Sequence, residues 1–125
     1  MSTAADLSLE SLEQRDDVVI ARLEGEIDRS NAQQLTDALL QAVPNMALAL
    51  VLDLSDTTYI DSSGVHLLFD ASDRLSKRQQ QLRVVLPDGA RISKLLSVVS
   101  MDRTVPLHST VEEAVAASRQ GDDAG

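Results

Sequence analysis

Leu48-Ala49-Leu50-Val51-Leu52-Asp53-Leu54 runs through Ser55-Asp56-Thr57-Thr58-Tyr59-Ile60 into Asp61-Ser62-Ser63-Gly64-Val65. The first seven residues are almost continuously apolar, as expected of a central strand covered on both faces. The last five open an amphipathic helix, expected over about 63–77. Val65, Leu68, Phe69, Ser72 and Leu75 are expected to point inward, with His66, Asp70, Asp73 and Arg74 on other faces. A buried strand feeding a helix is the repeating unit of a partly parallel sheet, so this stretch decides the fold class. It also sets two hydroxyls at a helix N-terminus, where unpaired N–H groups and partial positive charge favour anions.

Upstream, residues 7–12 alternate apolar and polar (Leu7, Leu9, less cleanly Leu12) and read as a half-exposed edge strand. After the polar turn Arg15-Asp16-Asp17, the β-branched run Val18-Val19-Ile20-Ala21-Arg22-Leu23 completes an antiparallel hairpin. Gly25 and Asp28 break the pattern. A first helix is expected from Ser30, with Gln33 at capping-box spacing, an apolar face of Leu35, Ala38, Leu39, Ala42 and Val43, and a stop at Pro44-Asn45. Downstream, Leu82-Arg83-Val84-Val85-Leu86 is a strand ended by Pro87-Asp88-Gly89, and Ile92, Leu95, Leu96 and Val99 space out a third helix. Thr104-Val105-Pro106-Leu107 is a short extended piece that belongs at an edge, because Pro106 has no N–H for a ladder. Thr110 and Glu113 repeat the capping-box spacing before a last helix through Val111, Ala114, Val115 and Ser118. The expected order is ββαβαβα, an extended piece, then α: a mixed sheet packed by about four helices, in one domain over 1–125 with a core over about 7–118.

The chain has 125 residues, Tyr59 and Phe69 as its only aromatics, and no Trp or Cys, so its core is aliphatic. Without cysteine there is no disulfide framework, thiol nucleophile or zinc–thiolate site. Eleven basic against twenty acidic side chains give a net charge of −9, which argues against broad binding to nucleic acid or anionic membranes. No apolar run reaches the ~20 residues of a membrane span, and the first residues lack the basic and apolar regions of a signal peptide. A cytoplasmic protein is expected. Ser62 lacks a Gly-x-Ser-x-Gly elbow, His66 and His108 have no evident orienting partner, and neither a metal spacing nor a nucleotide loop occurs. We therefore expect no enzyme activity and no cofactor. Asp53 suggests a phosphoaspartate receiver, which needs an acidic pair after its first strand and a lysine after a later one; here Asp16-Asp17 precedes a strand, and no Lys-Pro pair occurs.

Asp61-Ser62-Ser63 can be read simply as a helix cap, with Gly64 allowing close packing. Two adjacent hydroxyls, an acid and a glycine exceed what one cap requires. Asp28 reads equally as a turn acid or helix cap and as a second interface element near the Ser62 loop. An unpaired carboxylate at Asp53 would be costly inside an apolar strand, so it either reaches the strand end or accepts backbone hydrogen bonds.

In this order along the chain, Gly25-Glu26-Ile27-Asp28, then Val51-Leu52-Asp53-Leu54-Ser55 with Ile60-Asp61-Ser62-Ser63-Gly64, then Asp102-Arg103, Val105-Pro106-Leu107 and Thr110-Val111-Glu112-Glu113-Ala114 resemble STAS domains. The resemblance is to the stand-alone anti-sigma factor antagonists of bacteria. It implies a mixed sheet with an N-terminal antiparallel hairpin plus parallel strands. It implies that Ser62 is the phosphoacceptor, that Asp61, Ser63 and Gly64 shape its loop, and that Glu26, Asp28, Ser62 and His66 are interface candidates. The implied partners are an anti-sigma factor of serine-kinase type, whose sigma factor is released, and a PP2C-type phosphatase that reverses the kinase. The alternative within the family is a binding or scaffold subunit of a lipid-transport ABC complex or stressosome-like assembly, without a phosphate cycle. Phosphorylation adds about −1.5 to −2 charges, which the helix N-terminus could hold while Asp61 and the overall acidity oppose it. The chain departs from the family pattern at Gln79-Gln80-Gln81, where relatives often carry a glycine-containing turn, at Ser100-Met101, and at Val65-His66.

Overall fold

The computed structural model describes residues 11–90, 92 and 105–120. Along the chain these form β1 (Leu12–Arg15), β2 (Val18–Arg22), β3 (Gly25–Ile27), α1 (Ala32–Ala42), β4 (Ala49–Asp53) and β5 (Thr57–Ile60). After them come α2 (Ser62–Lys77), β6 (Gln81–Val85), β7 (Leu107–His108) and α3 (Val111–Gln120). The main sheet has the order β1-β2-β4-β6-β7. β1 is antiparallel to β2, and every other pairing in it is parallel.

All five β4 residues are buried, as the apolar run requires of the middle strand. Strand alternation sends Leu50 and Leu52 to one face, with Val19, Ala21, Leu82 and Val84, where α1 and α2 cover them with Leu35, Leu39, Leu67, Leu68 and Leu75. Val18, Ile20, Val51 and Val85 face the other side and meet Ala114 and Val115 of α3. Asp53 ends β4 and is 6 % exposed. Its Oδ1 accepts from the Ser55 backbone N–H at 3.0 Å, and its Oδ2 lies 3.7 Å from Arg22 Nε. Both readings of Asp53 therefore hold together. β7 is an edge strand, and Pro106 contributes only its carbonyl, which accepts from Val84 N–H at 3.0 Å.

Several expectations need correction. β1 occupies Leu12–Arg15, so Arg15 is in the strand and the turn is Asp16-Asp17 alone; residues 7–10 lie outside the described residues. Asp16 adopts φ 55°, a left-handed conformation that a short polar side chain tolerates. The helix expected at Ser30 starts at Ala32, and Gln33 takes no part in a capping box. Asp28 draws in the Ser30 N–H and hydroxyl instead, which leaves Asn31 at the helix boundary. The inward face of α2 is rotated relative to the expectation: Gly64, Leu67 and Ala71 are buried with Leu68 and Leu75, while Val65, Phe69 and Ser72 are half-buried. Three helices occur among the described residues; the one expected over 92–99 falls outside them apart from the buried Ile92. Two strands, β3 and β5, were not expected, and they position the site. At the last helix, Thr110 Oγ1 accepts from Glu113 N–H at 3.1 Å while the Glu113 carboxylate reaches Ser109 N–H.

Candidate functional site

β3 and β5 pair in parallel as a two-stranded ribbon with Ile27 opposite Ile60, both buried, and Glu26 opposite the exposed Tyr59. The register shifts between Gly25 and Glu26, where Gly25 takes φ 100°. The ribbon continues past its end through the Asp61 N–H, which donates to the Ile27 carbonyl at 3.3 Å. The turn after β3 is thereby laid beside the start of α2, although thirty-odd residues separate them in sequence.

Asp61 is the N-cap of α2. In an extended conformation (φ −106°, ψ −169°), its Oδ1 accepts from Ser63 N–H at 2.8 Å and Gly64 N–H at 3.2 Å. Its carbonyl accepts from Val65 N–H and starts the helical ladder. Two of the orphan donors of the helix end are therefore already satisfied by a carboxylate, so the N-terminus is less available to an anion than the sequence suggested. Ser62 is the first helical residue and is exposed, and its hydroxyl has no hydrogen-bond partner among the described residues. Gly64 is buried, and a Cβ there would stand 2.3 Å from Ile60 Cγ1 and 3.0 Å from Ile27 Cγ2. Only a glycine lets α2 settle onto the ribbon at this height.

The turn before α1 is built as tightly. Asp28 Oδ1 accepts from Ser30 N–H at 2.9 Å and from the Ser30 hydroxyl, and Asn31 Oδ1 accepts from Asp28 N–H at 2.9 Å. Asn31 Nδ2 donates to the Glu26 carbonyl at 2.8 Å. The Ser30 hydroxyl, and after it the Ser30 N–H, hold the Asp28 carboxyl below the usual aspartate range. Asp28 is thus a turn acid, and it also stands close to the serine pair. Asp28, Arg29, Ser30, Asp61, Ser62 and Ser63 line one concavity. A second, between α1 and α2, adjoins it and is lined by Arg29, Gln33, Ser62, Ser63, His66 and Asp70 among others.

Of the candidate residues, Asp28, Asp61, Ser62 and Ser63 surround one depression, and His66 joins Ser62 and Ser63 in the next. Gly64 lies buried beneath them, and Glu26 stands apart on the ribbon beside Tyr59. The sequence reading did not include Arg29, whose position shows only once the β3–β5 pairing is known. Among the described residues, no three metal-ligating side chains come together. No helix among them is long and apolar enough to cross a membrane.

The mixed sheet, antiparallel at β1 and parallel elsewhere with helices on both faces, places the chain among mixed α/β domains. The STAS domain model matches residues 11–114, and the chain belongs to that family. It is similar to the anti-sigma-F factor antagonist RsfB of Mycobacterium tuberculosis, 29 % identical over 104 residues that span 83 % of this chain and 84 % of the relative. The crystal structure of an anti-sigma factor antagonist from Mycobacterium paratuberculosis superposes with a TM-score of 0.80 at 28 % identity, over 96 % of this chain and 100 % of that one. The unphosphorylated form of the Bacillus anti-sigma factor antagonist SpoIIAA, at 20 % identity, shares the fold, with a TM-score of 0.69 over 96 % of this chain and 100 % of that one.

Proposed function

We propose that this chain is a cytoplasmic anti-sigma factor antagonist whose unphosphorylated form binds an anti-sigma factor of serine-kinase type and so releases a sigma factor. The kinase transfers the γ-phosphoryl group of ATP to Ser62 Oγ, ADP leaves, and the modified chain lets go; a PP2C-type phosphatase resets it. The observation that carries this reading is the state of Ser62. It is an exposed hydroxyl with no partner among the described residues, held at the rim of a depression by a capped helix and a locked turn. The names of the similar proteins support the regulatory class.

A few kcal/mol at one interfacial side chain is enough for a switch, since about 1.4 kcal/mol is tenfold in affinity. A phosphate of about −1.5 to −2 charges beside Asp28 and Asp61 repels any partner surface that fitted closely over the neutral hydroxyl. Incubation with the cognate kinase and ATP, followed by site-resolved mass spectrometry, is expected to find one phosphate, on Ser62, and none on Ser62→Ala. Phosphate on Ser63 of the variant would overturn the site. An unmodified wild-type chain would favour the scaffold role. Ser62→Asp is expected to bind the kinase at least tenfold more weakly, and wild-type affinity for that variant would remove Ser62 from the interface.

A further inference from the structure

We propose that Arg29 is the cation that receives the phosphate on Ser62, tying the turn before α1 to the start of α2 in the modified protein. The inference rests on the phosphorylation of Ser62 proposed above. A phosphoserine beside Asp28 and Asp61 is stabilised by a nearby positive charge, and the helix end offers less of it because Asp61 already occupies the N–H groups of Ser63 and Gly64. A basic side chain within reach is the stronger source of such charge.

The other basic residues among those described are engaged. Arg15, Arg22, Arg74, Lys77 and Arg119 form ion pairs with Glu13, Asp53, Asp70, Asp73 and Asp16. Arg78 donates to the carbonyls of Leu40 and Val43, and Arg83 bonds Gln81 and His108. Arg29 alone among the described arginines and lysines has neither an ion pair nor a hydrogen bond, and it is exposed. It lines both concavities that Ser62 lines.

The nearby acids do not take it. Asp28 is held by Ser30, Asp61 by its own helix, and Asp70 by Arg74. In a chain of net charge −9, an unpaired guanidinium beside a modifiable hydroxyl stands out. Its planar fork of donors matches phosphate oxygens two at a time. His66, which lines the second concavity with both residues, can donate a further ring N–H from one turn along α2.

The test uses the full chain with phosphoserine genetically encoded at position 62, so it does not depend on any kinase. The second ionisation of the phosphate is followed by phosphorus NMR. Pairing with Arg29 favours the dianion, so wild type is expected to ionise about half a pH unit below Arg29→Ala. The difference should shrink in 1 M salt, where the Debye length falls to about 3 Å. Arg119→Ala removes the same charge on α3 and is expected to titrate as wild type does. Coincident curves for wild type and Arg29→Ala, or an equal shift in Arg119→Ala, would overturn the proposal. A kinase that ignores Ser62 would instead defeat the functional reading and leave this titration interpretable.

Discussion

Gly64 stands where the close approach of α2 to the β3–β5 ribbon leaves no room for a side chain. The nearest obstructing atoms belong to Ile60, with Ile27 just behind, and both side chains are buried, so they cannot swing into solvent. A methyl group at this position forces the helix outward or Ile60 off its rotamer, at a cost of about 1–3 kcal/mol. Gly64→Ala is therefore expected to lower the unfolding free energy by that amount, read as a fall in the urea midpoint at unchanged slope. Combined with Ile60→Ala it should cost less than the sum of the two single changes, because the second substitution removes the closest of the clashing atoms. Strict additivity would mean that the close approach is not what limits position 64. The local reading of Asp61 as a cap and Gly64 as a packing glycine was available from the sequence, since both depend on residues within one turn. The role of Arg29 was not, because it depends on which other cations are already paired.

At the scale of elements, the strand–helix rhythm was legible where apolar residues recur with a clear period, and it failed where strands are short and mixed. β3 and β5 have three and four residues, alternate imperfectly, and carry the exposed Thr58 and Tyr59. Their pairing joins segments far apart in sequence, and no local pattern announces it. The end of α2 shows the reverse case, in which an oddity of sequence has a structural explanation. Gln79 adopts φ 62°, its N–H donates to the Ser76 carbonyl at 2.9 Å, and the Gln80 N–H donates to the Leu75 carbonyl at 2.8 Å. This is a Schellman cap with glutamine at the left-handed position that usually holds glycine. Such a conformation costs an L-residue about 1–2 kcal/mol, partly offset in glycine by its freer unfolded chain. Gln79→Gly is thus expected to stabilise the protein by about 0.5–1 kcal/mol, read as a rise of a few degrees in Tm. Gln80 must be left intact in this experiment, because its amide donates to the carbonyls of Pro44 and Ala47 and pins the end of α1 to β6. An unchanged or lower Tm would show that Gln79 makes compensating contacts.

Across the whole molecule, the sheet is closed at its far edge by β7, and that edge carries a titratable group. His108 Nε2 lies 3.2 Å from Arg83 Nη1, and the Leu86 N–H donates to the His108 carbonyl at 2.8 Å. A guanidinium can only donate, so the ring nitrogen facing it must be the unprotonated acceptor. Burial first, and the Arg83 charge second, push the His108 pKa below the ordinary histidine value, with Glu113 of α3 opposing them. Between the lowered folded value and the ordinary unfolded one of about 6.5, the unfolded chain binds more protons. The contribution of His108 to stability is therefore complete above about pH 6.5, declines as the pH falls below it, and levels off beneath the folded value. Every other titrating group is common to wild type and a His108 variant, so the difference between the two isolates His108. Urea midpoints at pH 7.5 and 5.5 are expected to fall on acidification in wild type and to fall less in His108→Gln, whose amide oxygen can still accept from Arg83. Equal losses in the two proteins would place the acid sensitivity elsewhere in the fold.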